Sequence, residues 1–93
     1  MVNSSQYKEL VRQAELLKAL AHPIRLCIVK NLIRLGSCNV STMQGGLAIP
    51  QSTVSQHLSK LKAAGVIEGE RHGVEVNYKI ASDSILNLIE SLE

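Results

Sequence analysis

Pro50-Gln51-Ser52-Thr53-Val54-Ser55-Gln56-His57-Leu58-Ser59-Lys60-Leu61-Lys62-Ala63-Ala64-Gly65 is the stretch on which the fold turns. Proline suits the first turn of a helix and glycine its end, so the segment predicts a helix over 51–64. Val54, Leu58 and Leu61 fall at i, i+4 and i+7 and form a narrow apolar stripe. At 100° per residue, Ser52, Gln56, Ser59 and Ala63 point directly away from that stripe, with Thr53, Ser55 and Lys60 at the margins. That face is small, polar and uncharged at its centre. Glutamine can make a bidentate contact to adenine, and serine and threonine hydroxyls can serve bases or phosphates. A carboxylate there would repel phosphates, and none is present. Taken alone, such a face is also what a merely solvated helix surface looks like.

Working outward, Asn39 can cap a short helix over 40–44, closed by Gly45-Gly46, with the turn at 45–49. Downstream, 66–71 and 74–80 read as strands joined at His72-Gly73, the second alternating Val74, Val76, Tyr78 and Ile80 with Glu75, Asn77 and Lys79. A last helix over 82–92, capped by Ser82 or Asp83, carries Ile85, Leu86, Leu88, Ile89 and Leu92. Upstream, Ser4 or Ser5 can cap a helix with Tyr7, Leu10, Val11, Ala14, Leu17 and Leu20 at helical spacing. The chain breaks at Ala21-His22-Pro23 and restarts as a helix that is apolar nearly all round until Gly36, which makes it the central one. The expected class is mostly α with a small β-hairpin. Four helices, two strands and a final helix are the order of a winged helix-turn-helix.

At 93 residues the chain predicts a single domain over 1–93, because two cores would leave each half too small to bury itself. No apolar run reaches the about 18 residues a membrane helix needs, and no signal-peptide pattern opens the chain, so a cytoplasmic protein is expected. Aromatics are Tyr7 and Tyr78 alone, which disfavours a base-stacking single-strand binder. Aliphatics are plentiful for a domain that covers only about 60% of its unfolded surface. A homodimer is therefore expected, held by Tyr7, Leu10, Val11 and Leu17 of the first helix against Ile85, Leu88, Ile89 and Leu92 of the last.

The net charge of +2 says less than its distribution. Between Leu16 and Ile67 there is no acid, while Lys18, Arg25, Lys30, Arg34, Lys60 and Lys62 fall inside that span. A basic block flanked by acids points to an anionic partner, and a polyanion such as double-stranded DNA is the usual one. Base readout is expected from Ser52, Thr53, Ser55 and Gln56. Phosphate anchoring is expected from Gln51 at the helix start, Ser59, Lys60, and Arg71 and His72 on the wing over 68–79.

The segments Ala14-Glu15-Leu16-Leu17-Lys18-Ala19-Leu20-Ala21-His22-Pro23-Ile24-Arg25-Leu26, Pro50 through Leu61, and Ala64-Gly65-Val66-Ile67 closely resemble the ArsR/SmtB repressors. The match runs over nearly the whole chain. The resemblance implies a dimeric winged-helix repressor whose fourth helix reads an inverted-repeat operator, whose wing touches an adjacent groove, and whose first and last helices form the dimer interface.

Family members often sense metals, and here the chain departs from the pattern. Asn39-Val40-Ser41 stands where the arsenic and cadmium sensors carry a Cys-x-Cys pair. The final helix contains no His to partner Asp83, Glu90 and Glu93, as a zinc site of the family would require. No metal and no cofactor are expected. Some relatives sense oxidants or reactive sulfur through two cysteines, one usually in the last helix, which here has none. Cys27 reads as a small core residue, and Cys38, beside a helix N-terminus, as the more exposed and more reactive thiol. Of the histidines, His22 reads as a residue at a helix start and His57 as packed against the preceding helix. His72 reads as a phosphate or minor-groove contact, or as a solvated turn. No catalytic residues emerge. A thiol-sensing repressor, a winged helix used for protein contact, and a small enzyme for which no residues are found stay open beside the leading reading.

Overall fold

The structure, a computed structural model, describes residues 2–92. Asn3, rather than Ser4 or Ser5, starts α1 (Ser4–Leu20). Its Oδ1 accepts from the Gln6 N–H at 2.8 Å, and Gln6 Oε1 accepts from the Asn3 N–H at 2.9 Å. This reciprocal cap satisfies two end groups where a serine would satisfy one. His22 caps α2 (Pro23–Leu35), its Nδ1 accepting from the Ile24 N–H at 3.1 Å, and Gly36 ends the helix. Ile28, Val29 and Leu32 are fully buried, but Cys27 and Leu35 are exposed. The helix is central through Ile28, Val29 and Leu32, but one side of it, with Cys27 and Leu35, has no protein over it, so Cys27 is not the core residue it was expected to be.

Asn39 caps α3 (Val40–Leu47) as expected, accepting from the Thr42 N–H at 2.8 Å. The helix runs through Gly45 and Gly46 instead of stopping at them, because Met43 is buried and Leu47 packs on the core beyond them. Its end falls at Ala48, which takes the left-handed conformation at φ 56°. The turn into α4 (Gln51–Ala63) therefore occupies 48–50.

Before α3, β1 (Cys38–Asn39) pairs with the middle of β3 (Glu75–Ile80), which also pairs with β2 (Ile67–His72). The sheet is three-stranded, in the order β1-β3-β2, where a lone hairpin was expected. Two residues carry no readable periodicity, so β1 left no trace in the pattern. The β2–β3 register pairs His72 with Glu75 and leaves Gly73 and Val74 as the turn, one residue later than expected. Gly73 takes φ 66° while Val74 does not have positive φ, the arrangement of a type II′ hairpin. Val74 accordingly lies in the turn, 96% exposed, and not in the strand. Ser82 caps α5 (Asp83–Glu90) through the Ile85 N–H at 3.4 Å.

The core is aliphatic. Leu20, Ile28, Val29, Leu32, Met43, Val54, Leu58, Leu61, Val66, Ile67, Ile85 and Ile89 meet in one cluster drawn from every helix and from β2. Residues 4–15 of α1 bury nothing in it, so the helix projects and the molecule is elongated, 47 × 31 × 22 Å.

Candidate nucleic-acid interface

Val54, Leu58 and Leu61 bury the inner stripe of α4 completely. At about 1.5 to 3 kcal/mol for each buried aliphatic side chain, that stripe contributes as much as the whole net stability of a small domain, so the helix cannot rotate about its axis. The opposite face is fixed outward. Ser52, Ser55, Gln56, Ser59 and Lys60 are exposed, with Gln51 exposed at the helix start and Thr53 half-buried at the margin. Among the described residues none of these seven side chains makes a hydrogen bond or ion pair within the chain, so their donors and acceptors are free for an outside partner. No side chain caps α4, and its first N–H groups point out of a helix start that follows Pro50, a setting that favours an anion.

His57 is on the flank of α4, but the contacts that hold it go to the start of α2 and not to the preceding helix, α3, as expected. Arg25 Nε on α2 donates to His57 Nδ1 at 3.3 Å, and the His22 ring lies 4.7 Å from the His57 ring, centre to centre. Desolvation, then the charges of His22, Arg25 and Lys60, push the His57 pKa below its ordinary value.

The wing divides the two residues expected to act together. Side chains alternate along a strand, and paired residues share a face. Arg71 lies on the face of Gly69, Val76 and Tyr78, and His72 on that of Glu68, Glu70 and Glu75. His72 Nε2 sits 3.4 Å from Glu70 Oε1, and Lys79 Nζ 3.4 Å from Glu68 Oε1. Arg71 makes no ion pair among the described residues. Gly69 is the glycine of the wing at which an added Cβ would meet a close neighbour, standing 3.0 Å from Val76 Cγ1, which would have to give way.

Asn39 has a second role that the sequence pattern does not show. Besides capping α3, it pairs with Asn77, and its Nδ2 donates to Glu75 Oε1 at 3.4 Å. One residue thereby joins the first helix of the helix-turn-helix to the wing. Its backbone role depends on β1, which no pattern announced.

Of the side chains expected between protomers, Tyr7, Leu10, Val11, Leu17 and Leu92 are exposed and Leu88 is half-buried. Ile85 and Ile89 are not available: they are 3% and 2% exposed in the protomer's own core. The amphipathic pattern of α5 shows which face is apolar but not which neighbour covers it. The cysteines are also reversed. Cys27 is exposed and accepts from Asn31 Nδ2 at 3.6 Å, whereas Cys38 is buried in β1, and burial pushes its thiol pKa up. Pairing with Tyr78 draws Cys38 inward, away from the helix start that suggested reactivity. Among the described residues no three His, Cys, Asp or Glu side chains come together, and Glu93 lies outside those residues.

A helix pair with a polar outer face, braced by a third helix and continued by a hairpin, defines a winged helix-turn-helix. Residues 20–70 match a family model described as a helix-turn-helix domain. The chain is 41% identical over 87 residues to the transcriptional repressor PagR of Bacillus anthracis, covering 94% of this chain and 87% of that one. The crystal structure of PagR superimposes with a TM-score of 0.85, covering 94% of this chain and 99% of PagR. Identity is 47% over 75 residues to the HTH-type transcriptional repressor SmtB of Mycobacterium tuberculosis, 81% of this chain but only 55% of that longer protein. A solution structure of the homodimeric winged helix-turn-helix DNA-binding domain of a possible ArsR-family regulator from Mycobacterium bovis is similar at a TM-score of 0.89 and 27% identity, covering 99% of this chain and 84% of that one. The chain belongs to the ArsR/SmtB family of winged helix-turn-helix transcriptional repressors.

Proposed function

We propose that the chain is a homodimeric transcriptional repressor that binds an inverted-repeat operator in double-stranded DNA through α4 and the wing. The observation that carries this reading is the outward face of α4: polar, free of carboxylates, without internal partners, and held in place by a fully buried stripe. Ser52, Thr53, Ser55 and Gln56 read bases. Gln51 and the helix start, Ser59, Lys60, Arg71 and His72 hold phosphates. Two protomers associate through the uncovered faces of Tyr7, Leu10, Val11 and Leu17, with Leu88 and Leu92, which sets the two α4 helices about one helical turn of DNA, or a small multiple of it, apart. Among the described residues no helix is long and apolar enough to cross a membrane, and the protein works in the cytoplasm as a single domain without catalytic residues.

The test is a gel-shift titration against the region upstream of its own gene. Binding at least about 10³-fold tighter than to a scrambled duplex of equal length is expected at physiological salt. Equal affinity for both, or none, would remove the operator reading in favour of a protein-contact role.

A further inference from the structure

Beside the surface formed by α4 and the wing lies a cationic groove that shares only one cation, Lys60, with it. This groove of about 370 Å³ lies between α1, α2 and α4, and its lining includes one cation from each helix, Lys18, Arg25 and Lys60, against a single acid, Glu15. Among the described residues none of these three cations makes an ion pair. Arg25 is held in place, but by neutral groups: Nε donates to His57 Nδ1 at 3.3 Å and an Nη to the Ala19 carbonyl at 3.3 Å. A guanidinium oriented by neutral acceptors keeps its whole charge and its remaining N–H groups for another partner. Ordinary surface cations are mobile and solvated. This one is half-buried and aimed.

The groove also continues the outward face of α4. Ala63, at the centre of that face, and Lys60, at its margin, both line it. With α4 in the major groove, as proposed above, a DNA strand bordering that groove would pass this flank. Its phosphates carry two unesterified oxygens each, which suit a guanidinium fork with ammonium groups beside it. We propose that the groove seats a phosphodiester of the DNA backbone, with Lys18 and Arg25 as phosphate contacts contributed from outside the α3–α4 pair and the wing. The proposal rests on the repressor reading above.

The Lys18 side chain is exposed and makes no hydrogen bond or ion pair among the described residues, so Lys18→Ala is expected to retain the fold and isolate the effect. Affinity is measured by fluorescence anisotropy against salt, on the operator and on an unrelated duplex. The slope of log K against log salt is expected to fall by about 2 for the dimer, one contact per protomer, with equal weakening on both duplexes. Lys18→Arg is expected to keep the slope. Steep wild-type binding with an unaltered slope in Lys18→Ala overturns the seat and leaves the repressor reading standing. A wild-type chain that binds no duplex at any salt removes both. In the DNA-free protein, inorganic phosphate is expected to leave the Arg25 Nε–H resonance unmoved at micromolar concentration. Saturation in that range would give the groove to a free anion and overturn the DNA assignment.

Discussion

Arg25 Nε donates to His57 Nδ1 across 3.3 Å, a bond that ties the first turn of α2 to the middle of α4. It requires an unprotonated Nδ1. His22, Arg25 and Lys60 all disfavour a positive charge on His57, and desolvation disfavours it more. The folded pKa therefore lies below the unfolded one, so the unfolded chain binds more protons in the interval between them and stability rises with pH there. The contribution is complete above the ordinary value of 6.5 and is lost as pH falls through the folded value. An NMR titration should place the His57 midpoint below 6.5. The urea midpoint of the wild type should fall more between neutral and mildly acid pH than that of His57→Gln. A His57 midpoint at or above the ordinary value would mean that the α2–α4 bond is not formed in solution.

The two apolar faces of the terminal helices should separate under mutation. Ile89→Ala removes a side chain that is 2% exposed within one protomer, so it should destabilise the fold by about 2 to 5 kcal/mol in urea unfolding. Leu10→Glu alters a side chain that touches little of its own protomer. It should leave the far-ultraviolet dichroism intact while shifting the sedimenting species from dimer to monomer. A folded, fully dimeric Leu10→Glu would place the interface elsewhere.

What could be read in advance, and what could not, follows from the range over which each signal acts. The α4 stripe, the Gly36 and Gly65 stops and the His22-Pro23 restart are local, and the structure reproduces them because a cap or a period of 3.6 needs no distant partner. The placement of Cys38 and Ile89 depends on which other element lies over them, and a single element's pattern is silent on that. Gly45 and Gly46 mark the limit of local reasoning: the propensity to stop, about 1 kcal/mol for each glycine, is outweighed by what Met43 and Leu47 bury on either side.

Thiol reactivity should follow burial. Cys27 is exposed, while Cys38 is 6% exposed with its pKa pushed up by burial. Iodoacetamide labelling of the native protein, read by mass spectrometry of peptides, should modify Cys27 about tenfold or more faster than Cys38, and urea should erase the difference. A thiol-sensing role would then have to begin at Cys27. Preferential native labelling of Cys38 would show that β1 opens readily.

Ala48 holds φ 56° at the bend between α3 and α4, a conformation that costs an L-residue about 1 to 2 kcal/mol. Glycine would relieve that cost but would add freedom to the unfolded chain. The net expectation for Ala48→Gly is about 0.5 to 1 kcal/mol of stabilisation in urea unfolding. Destabilisation would mean that the α3–α4 turn does not need the left-handed conformation in solution.

Base reading and phosphate anchoring should respond differently to mutation, and the two faces of the wing should differ from each other. Gln56 stands near the centre of the outward face of α4 with its amide unengaged. Gln56→Ala should cost about 1 to 3 kcal/mol on the operator, flatten the preference at one base pair in each half-site, and leave the salt slope unchanged. Lys60→Ala and Arg71→Ala should instead weaken operator and random duplex alike, and lower the slope by about 1 for each phosphate that is no longer neutralised. His72 shares its strand face with Glu68, Glu70 and Glu75 and already lies 3.4 Å from Glu70, so the carboxylates of its own face compete with DNA for it. His72→Ala should therefore cost less affinity than Arg71→Ala, and Glu70→Gln should strengthen binding on both duplexes by removing a carboxylate from the wing. If specificity disappears with Arg71 while Gln56→Ala lowers only affinity, the wing reads bases and α4 anchors the backbone, the reverse of the assignment made from the outward face of α4.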